Sequence, residues 1–155
     1  DHEGDLLVRW HLVRIAMEMI KSNPLFGVGL NTASLVVTNY VPAGIGHIWV
    51  FVVHNQFLLS TCEMGLPGLA AWIWLFTVGF RALRAPRVSR DPVIREFAGA
   101  MRVVLGVLVF ALNLDFVQGS QTYPLVFLML GLAVGLQWLD RSLPASAEPE
   151  HEVLP

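Results

Sequence analysis

The chain has 155 residues, 55% of them hydrophobic and only 14% charged, with a mean hydropathy of +0.60. Soluble domains carry ~25% charged residues, so this composition excludes an ordinary soluble domain and indicates a membrane protein with no nucleic-acid partner. The net charge of −2 decides nothing, but the clustering of the arginines does.

The chain opens on a polar stretch, Asp1-His2-Glu3-Gly4-Asp5, with no Met and no basic n-region before an apolar core, so no signal peptide is visible. It is read as the C-terminal part of a longer membrane protein, whose upstream helices are expected partners. Leu6, Trp10, Val13, Met17 and Ile20 recur at spacings of four and three and predict an amphipathic helix. Asn23-Pro24 ends it, because the residue before proline avoids the helical region. Phe26 to Gly29 reads as a turn, and Asn31 as the N-cap of a second short helix.

Pro42 to Gly46 is a predicted loop. Ile48 to Val53 is an unbroken apolar run, either a membrane-abutting segment or a short buried strand, which periodicity cannot separate. Helix resumes near His54 and is punctuated at Gly65 and Pro67.

Three apolar segments follow, from about Leu66 to Leu83, Gly99 to Val117 and Pro124 to Leu139. Crossing a bilayer takes ~20 residues, so all three read as spans, the third borrowing flanks such as Tyr123. The fold class is therefore all-α: an outer helical loop over residues 1–60, then three transmembrane helices over 61–139.

Arg81, Arg84, Arg87, Arg90, Arg95 and Arg102 fall in or beside the first connection, an arginine-rich loop of about 84–98. Short loops rich in Arg stay cytoplasmic. This puts residues 1 to about 60 outside, Gly119 to Tyr123 as a short outer turn, and 140–155 inside as a disordered tail.

His54 is the most informative residue. A group that exchanges a proton near neutral pH, set at a water–lipid boundary, suggests chemistry on a lipid-linked substrate. The bland alternative is a capping or interfacial histidine.

Glu63 is a tempting partner, but nine residues at ~100° each put it on the opposite face of the helix. It is expected instead to anchor the Gly65-Leu66-Pro67-Gly68 turn through backbone donors. Asp115, near the outer end of a span, could touch acceptor or headgroup, or could simply mark where the helix meets water.

Cys62 is the lone cysteine, expected to be packing. His47 and His54 lack the spacing of a zinc site. Gly27-Val28-Gly29 lacks the strand and third glycine of a dinucleotide fingerprint. No metal or cofactor is expected.

Arg9, Ala16 and Asn23-Pro24-Leu25-Phe26-Gly27-Val28-Gly29, followed by His54-Asn55-x-x-Leu58 and Glu63-x-Gly65-Leu66-Pro67-Gly68, resemble the O-antigen ligase family over roughly residues 6 to 70. That family also includes O-antigen polymerases and protein O-oligosaccharyltransferases. Many relatives carry Trp four residues after the arginine, where this chain has Val13, with Trp10 nearby.

The resemblance implies a bundle of about a dozen helices in the bacterial inner membrane, with its active face periplasmic. It implies transfer of a glycan from undecaprenyl pyrophosphate to a hydroxyl of a glycolipid, a growing glycan or a protein. It makes Arg9 the residue that stabilises the leaving pyrophosphate, since guanidinium matches phosphate oxygens with a bidentate fork. His54 would be the base that takes the acceptor's proton, and Asn55 beside it in the motif is expected to bind substrate; Asp115, outside the resemblance, is a candidate only by its place on the same outer side.

Arg14 is a further substrate-binding candidate, but it stands four residues before Glu18, an ordinary surface-pair spacing, and ~140° around the helix from Arg9. The rival reading is a transporter or membrane scaffold, because some relatives carry an inorganic-carbon transporter label. Transport would need polar residues along the spans, for which Asn113, Asp115 and Gln137 are the main candidates.

Overall fold

The computed structural model describes residues 2–41, 53–114 and 122–143. They form five α-helices and two 3-10 turns: α1 (His2–Ser22), α2 (Ala33–Val36) running into a turn over Val37–Tyr40, α3 (Gln56–Ala82), a turn over Pro86–Val88, α4 (Pro92–Leu114) and α5 (Thr122–Ser142). Among the described residues there is no strand. The predicted loop 42–46, the apolar run up to residue 52, Asp115, the outer turn 119–121 and the tail 144–155 lie outside the described residues.

Three helices are long and apolar enough to cross a membrane, as the composition implies. The first needs dividing. Phe57 and Trp72 are fifteen residues apart, which a straight helix would separate by ~22 Å, yet their rings meet edge to face with centroids 6.0 Å apart. The cause is Gly65, whose φ of 70° and ψ of −166° break the helical path.

Residues 56–64 therefore fold back as a short first limb along the start of 66–82, and only the second limb is a span. The limbs pack so closely that a β-carbon on Gly68 would stand 2.8 Å from the Ser60 carbonyl oxygen. A polar clip holds them: Trp72 Nε1 donates to Ser60 Oγ at 2.9 Å, and Gln56 Nε2, within the first limb, donates to the same oxygen at 3.0 Å. The span predicted from Leu66 is thus borne out, with a corner rather than a simple pause before it.

The second span begins earlier than the sequence reading put it. α4 starts at Pro92, where Asp91 Oδ1 accepts from the amides of Val93 (2.8 Å) and Ile94 (3.3 Å). An Asp cap followed by proline at the first helical position is a strong start signal. The arginine-rich connection is correspondingly shorter. α5 takes flanking residues at both ends and reaches 21 residues.

The three spans share a core that includes Trp72, Phe76, Leu105, Leu112, Val126 and Leu130. Less than a third of each span's most apolar stretch is buried. The remaining apolar faces suit lipid or further helices rather than water.

α1 also corrects the sequence reading. Its buried residues are Leu12, Ile15, Ala16 and Met19, whereas Trp10 is 62% exposed and Met17 42%. Val13 and Ile20 are half-buried at the margin of the packed face. The stripe is one of helical period as expected, but rotated, because α1 packs on the first limb of α3 and on the turn after α2. A second core cluster forms there from Ile15, Ala16, Met19, Ala33, Val37, Val53 and Cys62.

Asn31 does not cap α2. It adopts a φ of 57°, and Thr32 holds the cap position without a side-chain cap bond.

Candidate functional site

The two glycine-bearing motifs meet backbone to backbone. In a regular helix the carbonyls of Cys62 and Glu63 would accept from residues 66 and 67. Pro67 has no N–H to give, and Gly65 turns the Leu66 amide away, so both carbonyls come free.

The loop after α1 takes them. Val28 N donates to Cys62 O at 2.8 Å, Gly29 N donates to Glu63 O at 3.0 Å, and Leu66 N donates to Pro24 O at 2.8 Å. Every backbone group that the corner frees here is satisfied, as buried backbone requires. Asn23-Pro24-Leu25-Phe26-Gly27-Val28-Gly29 and Glu63-Met64-Gly65-Leu66-Pro67-Gly68 are thus two halves of one joint. The Glu63 carboxylate accepts from Ala33 N at 3.4 Å; it does anchor through a backbone donor, but at the start of α2 rather than in its own turn.

This joint orients the two segments that carry Arg9 and His54. Cys62, 1% exposed, directs its Sγ at the carbonyl of Ala16, 3.5 Å away, and so serves packing. Further along, Pro24 meets Leu66, so α1 and the first limb of α3 advance in the same direction. Arg9 stands seven residues before Ala16, roughly 10 Å by helical rise and ~20° from it around the axis. His54 stands eight residues before Cys62. Both therefore lie beyond the same end of the α1–α3 contact.

His54 is half-buried, with its Nδ1 shielded from solvent. It follows Val53, 6% exposed and packed in the α1 cluster, and it does not cap α3. The cap is Asn55, whose Oδ1 accepts from Leu58 N at 3.0 Å while its Nδ2 donates to Asn113 Oδ1 at 3.0 Å. Asn55, expected to bind substrate, thus has a structural role at the limb's start.

Because Asn113 is in the last turn of α4, the His54 segment sits level with that end of the spans, opposite the arginine-rich connection. The first limb also presents its positive dipole end beside His54, a location that favours phosphate.

Arg9 and Arg14 are both exposed, but they face different sides. Arg14 opens on a separate cleft of about 440 Å³ with Glu18, Asn39 and Tyr40. Glu18 pairs with Lys21 at 2.8 Å, so the surface pair expected from i,i+4 spacing is made instead at i,i+3. Asp115 lies outside the described residues, as does His47. Among the described residues no three His, Cys, Asp or Glu side chains gather in a metal-binding group.

Sequence reasoning missed the Gln56–Ser60–Trp72 chain and the Asn55–Asn113 bond. The first depends on the fold-back and the second on a pairing 58 residues apart. It also passed over His11, half-buried on α1 with its Nδ1 lacking a hydrogen-bond partner among the described residues; no motif marks it.

The family model described as O-antigen ligase matches residues 1–73. The resemblance drawn from the motifs is borne out over that stretch, which holds Arg9, the docking loop, His54 and the Gly65 corner. No curated protein and no solved structure matches the chain.

Proposed function

We propose that this chain is part of a membrane glycan transferase of the O-antigen ligase or polymerase type, moving a glycan from undecaprenyl pyrophosphate onto an acceptor hydroxyl. The observation that carries this reading is the O-antigen ligase match over residues 1–73; the backbone joint between the two glycine-bearing motifs, with α1 packed on α3, supports it.

The chemistry has two demands. His54 takes the proton from the acceptor hydroxyl, whose oxygen attacks the anomeric carbon of the glycan. The bond from that carbon to the pyrophosphate oxygen breaks, and Arg9 stabilises the charge left on the diphosphate. General-base help is worth about 10²–10⁴-fold; a guanidinium aimed at developing charge in a dry site contributes roughly 3–4 kcal/mol. Asp115 and Asn55 would border the acceptor path, and Arg14 a more distant part of the substrate.

The arginine-rich connection supports an inner-membrane orientation with the reaction on the periplasmic side. The acceptor is a glycolipid, a glycan or a protein. The test is glycan transfer by the intact protein carrying Arg9→Ala or His54→Ala, with insertion and abundance measured alongside. Loss of transfer in both variants at normal abundance is the expected result. Undiminished transfer in both would overturn the assignment.

A further inference from the structure

A groove of about 450 Å³ runs down the second limb of α3, walled by Phe57, Phe76, Thr77 and Phe80 and ending at Arg81 and Arg84. From the level of Trp72, where Phe57 packs, to the helix end at Ala82 is ten residues, ~15 Å of helix, with Arg84 just beyond. That is half of a ~30 Å hydrocarbon core, the depth of one leaflet.

The wall is firm on one side. Arg102 donates to Phe80 O at 3.2 Å and sets its guanidinium 5.8 Å from the Phe80 ring centroid. Arg81 and Arg84 are both exposed, and among the described residues no acidic side chain pairs with either.

We infer that this groove binds one anionic glycerophospholipid from the leaflet on the arginine-rich side, its acyl chain along Phe57–Phe76–Phe80 and its phosphate on Arg81 and Arg84. An apolar trough of leaflet depth, with two unpaired guanidiniums at its mouth, matches both halves of such a lipid. Guanidinium forks bind phosphate oxygens directly, and apolar walls replace contact with bulk lipid.

The polyprenyl donor is not the occupant. Its diphosphate belongs at the opposite end of the spans, with His54, and here the cationic end points the other way. That exclusion rests on the proposed function; the apolar trough and its cationic mouth do not.

The experiment is native mass spectrometry of the intact protein in detergent, titrated with phosphatidylglycerol and, separately, with phosphatidylcholine. Preferential retention of phosphatidylglycerol is expected. Juxtamembrane basic residues contribute about 1 kcal/mol each, so Arg81→Gln with Arg84→Gln should weaken it roughly 10- to 30-fold. Arg90→Gln in the same connection, with Arg95→Gln in the first turn of α4, removes as much charge outside the groove and should leave binding near wild type. Thr77→Trp fills the trough with every arginine kept, and should lower binding to a similar degree.

Equal retention of the two lipids would overturn the site, as would unchanged binding by Thr77→Trp or equal loss from the two arginine pairs. Recovery of a polyprenyl phosphate in place of phospholipid would overturn it too.

Discussion

Gly27 lies against Glu63 so closely that a β-carbon on the glycine would fall inside contact distance of the Glu63 backbone. Gly65 meets the loop reciprocally: its β-carbon would stand 2.5 Å from the Leu25 carbonyl carbon. Both glycines also hold positive φ, 65° and 70°, which side-chain-bearing residues adopt only at a cost. Neither neighbour can yield, because each is main chain already committed to the joint.

Gly27→Ala and Gly65→Ala are therefore each expected to destabilise the protein by roughly 2–4 kcal/mol, summing left-handed strain and overpacking. Thermal unfolding in detergent checks this, read beside protease sensitivity of the loop after α1. A melting temperature unchanged by either substitution would mean that the joint is not formed.

Gly79 gives the contrasting case. Its β-carbon would meet the tip of Leu130 on α5, a flexible side-chain end that can rotate away. Gly79→Ala is expected to be tolerated within about 1 kcal/mol, helped by alanine's higher helix propensity. Gly79→Leu should separate α3 from α5 and lower the melting temperature well below that of the alanine variant. The same assay compares all four substitutions, so close approach to backbone and close approach to a side chain are distinguished directly.

Much of this was legible in the chain because it depended on local chemistry. Apolar runs of bilayer length give spans, Asn23-Pro24 stops α1, and the arginines gather in one connection. The corner at Gly65 was visible as punctuation, but its consequence was not. Nothing local says that residues 56–64 turn back on 66–82. The helical angle between His54 and Glu63 fails for a different reason: α3 begins at Gln56, so His54 precedes the helix and Asn55 between them is extended. The rotation of the α1 stripe was missed for a related reason. In a chain where exposed apolar residues meet lipid or further helices, Trp10 and Met17 look as buried as Ile15 and Met19. Periodicity gives the helix, while the partner chooses the face.

Asn55 separates capping from substrate contact. Replacing an Asn cap with Ala costs about 1 kcal/mol, and Asn55→Ala would also break the bond to Asn113. Asn55→Asp keeps the acceptor for Leu58 N but cannot donate to Asn113 Oδ1. If the role is structural, Asn55→Asp should retain the greater share of both stability and transfer. If the amide touches the donor diphosphate, the added negative charge should make Asn55→Asp the worse enzyme at equal abundance. Transfer rates normalised to folded protein decide between the two.

Membrane orientation can be read by cysteine labelling. Cys62 is 1% exposed, so the native chain should give little background with a polar maleimide. Ala85→Cys, exposed in the arginine-rich connection, is expected to label only after the inner membrane is permeabilised. Thr38→Cys, exposed in the turn after α2, should label in cells whose outer membrane alone is opened. The reverse pattern would put His54 on the cytoplasmic side, where an extracytoplasmic glycan transfer could not use it.

Arg9 and His54 should act on one step rather than two. If the guanidinium stabilises the leaving diphosphate while the imidazole takes the acceptor's proton, both contribute to the same transition state. His54→Ala is expected to lower the transfer rate about 10²–10⁴-fold, and Arg9→Ala to a comparable extent. Groups that act as a unit give strongly non-additive losses. The double variant should therefore fall only slightly below the weaker single variant, far short of the product of the two losses. Arg9→Lys should recover part of the rate by restoring charge without the fork, whereas a merely structural Arg9 would show its effect in stability instead. Fully multiplicative losses, with melting temperatures intact, would mean that the two residues act independently rather than as a unit.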